Sequence, residues 1–160
     1  MIKKIFFGIG LAVVLGIVGL VNFAGGKSYN TDFVPPSGLN EQTWPELIGG
    51  MPRQLQKLDF ANGSVKGGVA RYGQGAAIVI VSAADQAALD AFVETSVRPD
   101  LEIYGSKSSG KLNGAWWVKA TGNPGRLYAW QKQNWFYSVQ TANDDLFDEA
   151  VKKFAFIASE

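Results

Sequence analysis

Residues 105–111, Gly105-Ser106-Lys107-Ser108-Ser109-Gly110-Lys111, have the glycine and lysine spacing of a loop that wraps phosphate. Such a loop turns backbone N–H groups onto the phosphate at a helix start, with a hydroxyl after the lysine to hold magnesium. Here Leu112 stands where the hydroxyl belongs, and Asn113-Gly114-Ala115-Trp116-Trp117 reads as strand. The stretch is therefore expected to be a flexible polar loop with no nucleotide chemistry.

Asp144, Asp145, Asp148 and Glu149 are the second group to weigh, as a cation site or a pair of catalytic carboxylates. They fall in the first turns of a helix behind an Asn143 cap, where acids complement the helix dipole. Asp148 and Glu149 also stand four residues before Lys152 and Lys153. Helix formation accounts for all four. The chain contains neither cysteine nor histidine. That removes disulfides, thiolate nucleophiles and every metal site built on those ligands. No catalytic residues, metal ligands or cofactor are assigned.

The third pattern is aromatic. Alternation puts Trp117 with Lys119 on one face of a strand, and Arg126, Tyr128, Trp130 and Lys132 on one face of the next. Trp116 and Val118 point the other way, inward, as do Leu127 and Ala129. A third strand carries Phe136 in phase with Ser138 and Gln140. Together Trp117, Lys119, Arg126, Tyr128, Trp130, Lys132 and Phe136 are expected to form an exposed surface facing away from the helices. Aromatic and arginine side chains tend to dominate binding energy at such contacts. Three interleaved cations argue against burial, since an unpaired buried charge is costly.

The elements that would position these residues follow from periodicity. Residues 54–60 and 65–72 flank Asn62-Gly63, a two-residue hairpin turn, and 76–81 is an unbroken apolar run suited to a central strand. Residues 82–97 change to a helical period on Leu89, Phe92, Val93 and Val97, and Pro99 is expected to end that helix. Strands are predicted again at 112–120, 127–132 and 135–141. A last helix over 144–157 buries Phe147, Ala150, Val151, Phe154 and Ile157. The fold class is α+β: a mostly antiparallel sheet of about six strands with two helices on one face. Setting Ala84 against Ala142 aligns Asp85 with Asn143 and Val93 with Val151, the pattern of a βββα tandem repeat.

Everything is tied to residues 5–24, which carry no charge and, at about 30 Å as a helix, match the hydrocarbon thickness of a bilayer. The apolar run is longer than that of a cleaved signal peptide, so it is read as a retained anchor, with cleavage after the small residues Ala24-Gly25-Gly26 as the alternative. Lys3 and Lys4 outweigh Lys27, which keeps residues 1–4 in the cytoplasm and sends the rest of the chain out of it. Gly8, Ala12 and Gly16 make a stripe that would let another membrane helix approach closely. Residues 25–43 are a linker with a Pro35-Pro36 pair, and 44–160 form the extracytoplasmic domain. Acids and bases balance over 44–160, so no basic footprint for nucleic acid exists. The expected function is a single-pass plasma (inner) membrane protein whose domain, periplasmic in a bacterial cell, binds a protein partner, as an accessory subunit of a membrane complex. The alternative is a ligand-binding domain whose aromatic sheet face takes a glycan or a flat apolar molecule. No nucleophile–base pair supports an enzyme.

Overall fold

The computed structural model describes residues 39–60, 63–112 and 115–154, with the backbone of 29–30 and 158–159. The anchor segment 5–24, including Gly8, Ala12 and Gly16, lies outside them. Among the described residues no helix is long and apolar enough to cross a membrane. The chain divides into two units, Met1–Asn30 with Ser159–Glu160, and Thr31–Ala158. Only the short strand Tyr29–Asn30 and Ser159 are described in the first, and the second is the α+β unit considered below.

Beside a two-stranded sheet of Leu47–Ile48 and Met51–Pro52, seven antiparallel strands form its larger sheet. In chain order they are β1 (Gln54–Phe60), β2 (Val65–Tyr72), β3 (Ala76–Ala83), β4 (Ser106–Leu112), β5 (Ala115–Gly122), β6 (Gly125–Lys132) and β7 (Trp135–Thr141). The spatial order is β1-β2-β3-β7-β6-β5-β4. Two meanders thus meet at the centre through their last strands, and each last strand feeds a helix. Helix α1 follows β3 and runs through Gln86–Phe92, a π-helical stretch Val93–Val97, and a last turn Arg98–Leu101. Helix α2, Asp144–Lys153, follows β7.

Three expectations are corrected. The polar stretch 105–111 is mostly strand: β4 is an edge strand, and its two lysines suit an edge, where charge discourages pairing with foreign strands. Pro99 does not end α1, which continues through the π-helical stretch to Leu101. The widened turn admits proline at the start of a new helical segment, where its missing N–H costs nothing.

The third correction concerns the helices, which lie on opposite faces of the sheet. Phe92 of α1 packs edge-on against Phe136, ring centroids 5.5 Å apart, whereas Phe154 behind α2 meets Tyr137, the next residue of the same strand. Consecutive strand residues point to opposite faces. Register parity explains this. β3 and β7 pair with Ala76 opposite Thr141 and Ile80 opposite Tyr137, so even positions of β3 share a face with odd positions of β7. The strands end at Ala83 and Thr141, both odd, both buried, and therefore on opposite faces. Each helix folds onto the face to which its own strand's last residue points. The two chain segments are alike, but β4 gives the second an extra strand and the parity inverts its side.

Both helices begin with a side-chain cap, of which Asn143 was read from the sequence. The Asp85 carboxylate accepts from the Ala88 N–H at 2.8 Å and the Asn143 side chain from the Leu146 N–H at 2.9 Å. Asp85→Ala and Asn143→Ala are each expected to lower unfolding free energy by about 1 kcal/mol in denaturant titrations of the full chain in micelles. An unchanged midpoint in both would show that the caps contribute nothing.

Candidate functional site

The face predicted to be an aromatic contact surface is an interior. Trp130 is 1% exposed, and Tyr128 and Tyr137 are also buried. Trp130 stacks between them, centroids 5.1 Å from Tyr128 and 5.2 Å from Tyr137, and meets Phe154 edge-on at 6.2 Å. Helix α2 covers this layer. Towards the other edge Trp44 lies on the same face, buried, with its Nε1 donating to the Ile78 carbonyl at 3.2 Å. Phe136 belongs elsewhere, because the residue opposite Trp130 is Tyr137. Phe136 is buried beneath α1. Trp117 is half-buried and leans over Gly110 of β4, where a Cβ would meet its ring at 3.0 Å.

The cations do not make this face a surface, because they sit around its margins. Arg126 places its guanidinium 4.1 Å from the centroid of Phe147 and bonds Asp144 at 3.1 Å, so it is the tie that holds the start of α2. Lys119 is half-buried opposite Tyr128; burial, and then the neighbouring Arg126 charge, lowers its pKa. Lys132 is half-buried at the end of β6, opposite Trp135. Long side chains cover apolar ground with their stems while their heads reach the rim. Glu149 of α2 is likewise structural: it accepts from Lys153 at 2.6 Å and from the Gly49 N–H at 3.1 Å. These contacts hold the Glu149 carboxyl below its usual pKa, with Lys153 the larger cause.

Burial raises the pKa of Tyr137 well above that of a free phenol, and burial pushes Tyr72 up to about 12 against the smaller opposing effect of Arg53. A phenol whose pKa rises on folding contributes stability that is complete below pH 10 and is lost as pH climbs towards the folded value. Stability is therefore expected to fall above about pH 10, with phenolate absorbance appearing together with unfolding. Full phenolate titration while the fold persists would contradict the buried placement.

The open site is on the other face. Helix α1 and the turn after it cover this face, burying Val118, Ala120, Leu127 and Ala129 of β5 and β6 with Leu101 and Tyr104. They leave a cleft of about 440 Å³ beside the helix, at the strand ends that carry Lys111, Trp116 and Gln131. One row of side chains crosses this face: Lys111 stands opposite Trp116, Gln131 opposite Phe136, and Phe136 opposite Val81. Val81 and Phe136 are under the helix. Gln131, Trp116 and Lys111 emerge beyond its flank as the cleft floor. The wall is a four-residue ladder on α1, Gln86, Asp90, Glu94 and Arg98, with Val93 below. Gln86 donates to Asp90 at 2.8 Å, and Arg98 pairs with Glu94 at 2.6 Å. Trp116 is half-buried and packs against the core.

Gln131 is the unusual member. It is 8% exposed, lines the cleft, and its side-chain amide makes no hydrogen bond among the described residues. The residue types can therefore clamp a ligand: a flat apolar floor, a free amide offering donor and acceptor, and two carboxylates and two cations on the rim. None of these residues was among the predicted site. Trp116 was read as pointing inward, and of the helix over 82–97 only the apolar stripe was singled out. The available signal was Gln131 itself, a polar residue in the same strand phase as Leu127 and Ala129. No group of three or more acidic residues that could hold a metal ion occurs among the described residues.

No family model matches the chain, and neither does any curated protein. Among solved structures it is similar to the crystal structure of a GTP binding regulator from Thermotoga maritima, with a TM-score of 0.44 and 14% identity over 66% of this chain and 76% of that one.

Proposed function

We propose that this chain is a membrane-anchored, extracytoplasmic binding module, and that its site is the cleft between α1 and the β4–β5–β6 half of the sheet. Gln131 carries this reading: its amide opens onto the cleft floor and makes no side-chain hydrogen bond among the described residues, so a ligand can complete it. The cleft volume is within the range of small-molecule sites. The role is binding rather than turnover, since Asp90 and Glu94 are each engaged by a neighbour on their own helix. The anchor rests on the uncharged segment 5–24, and its direction on Lys3 and Lys4. The test is a thermal-shift screen of the full chain in micelles against soluble sugars, amino acids and short peptides. A compound that raises the midpoint should lose its effect in Gln131→Leu. Hits that act equally on that variant would place binding outside the cleft.

A second reading, an accessory subunit that binds a protein, is favoured by β4. Its outer edge pairs with no other strand among the described residues, and exposed edges accept partner strands. A stoichiometric membrane protein recovered with the intact chain, and lost when Ser109 is replaced by proline, would support it.

A further inference from the structure

We infer that the cleft takes an uncharged, polyhydroxylated ring of the pyranose type, laid flat on Trp116; this rests on the cleft being the binding site. Charge, hydrogen-bonding capacity and shape each bear on the ligand. The rim is balanced, with Asp90 and Glu94 against Arg98 and Lys111, and the Glu94–Arg98 pair is closed on itself at 2.6 Å. A cation entering here meets Lys111 at the floor edge, and an anion meets Asp90 on the wall, so neither sign gains a clear attraction. A neutral ligand is not penalised.

Gln131 narrows the chemistry. Its amide presents one N–H donor group and one carbonyl acceptor side by side, both without a protein partner among the described residues. An apolar aromatic ligand would bury that amide and leave it unsatisfied, which is unfavourable. A pair of adjacent hydroxyls satisfies it, one donating to the carbonyl and one accepting from the N–H. Asp90 has one oxygen taken by Gln86 at 2.8 Å, and the other can accept from a further hydroxyl. Lys111, directly across from Trp116 on the neighbouring strand, can donate to one. Trp116 contributes a flat apolar plate, which the C–H face of a ring can cover while its hydroxyls point outward to these groups. A volume of about 440 Å³ admits one or two such rings.

The experiment is calorimetric titration of the full chain in micelles with maltotriose, cellotriose and triacetylchitotriose, beside a zwitterionic tripeptide and a uronic-acid disaccharide. At least one neutral trisaccharide should bind saturably. Gln131→Leu should weaken it by about tenfold or more, and Trp116→Ala likewise, with Trp116→Phe recovering part of the loss. Equal thermal midpoints for wild type and Gln131→Leu separate loss of binding from loss of fold. If the tripeptide or the uronate binds in a Gln131-dependent way and the neutral sugars do not, the pyranose assignment falls and the cleft remains the site. If a neutral sugar binds but Gln131→Leu leaves its affinity unchanged, or if no probe binds, both assignments fall.

Discussion

Trp130→Ala should destabilise the folded domain by about 3–5 kcal/mol, the range for deleting a large aromatic side chain from a core. The ring is sandwiched between Tyr128 and Tyr137 and closed off by Phe154, so alanine leaves a cavity bounded by three aromatic rings. Those neighbours come from two strands and the end of a helix and cannot all move inward together. Trp130→Phe should cost clearly less. The indole N–H has no hydrogen-bond partner among the described residues, and phenylalanine removes that unsatisfied donor while keeping most of the stack. The check is a pair of denaturant titrations. A loss of 1 kcal/mol or less for Trp130→Ala would mean that α2 does not cover this face.

Gly125→Ala should cost about 3 kcal/mol or more, for two reasons that add. Gly125 has φ +109°, where any other residue is strained, and a Cβ there would run into the Thr141 carbonyl oxygen and lie 2.8 Å from the Ala142 Cα. Backbone strain contributes about 1–3 kcal/mol and overpacking against main chain about as much again. The clash falls where β7 hands over to the Asn143 cap, so α2 should loosen first. Gly50 is the control: its φ is +71°, but a Cβ would meet nothing within 4 Å. Gly50→Ala should therefore show the strain alone, at about 1 kcal/mol. Equal costs for the two variants would show that the contact with Thr141 is absent.

Much of the fold was legible in the residues. The run 76–81 reads as a central strand because both faces are apolar, and the strand it belongs to, β3, is paired on both sides. Asn143 reads as a cap and is one, and Asp85, which aligns with it in the repeat, caps the other helix. The face of each residue within β5, β6 and β7 follows from alternation alone, and Trp117 and Trp130 do share a face. What alternation cannot supply is the register between strands. Phe136 and Tyr137 are equally apolar, and only the pairing with β6 decides which one joins Trp130. One residue of slip would exchange them, and the same parity decides that α1 and α2 lie on opposite faces. The polar stretch 106–112 has no strand period because, as an edge, it needs none. The cleft was hidden for a related reason: Trp116 shares a face with Val118 and Ala120, and burial stops where α1 ends its coverage. That limit depends on helix placement, not on any local pattern.

Position-resolved tryptophan signals give the most direct test of where this molecule binds. The chain has five tryptophans. Their indole N–H resonances can be assigned in the full chain in micelles by replacing each with phenylalanine in turn. During titration with the tightest-binding trisaccharide, the Trp116 resonance should move and saturate while those of Trp130 and Trp44 stay still. If Trp117, Trp130 or Trp135 moves and Trp116 does not, the ligand is on the α2 side of the sheet, and the cleft beside α1 is not the site.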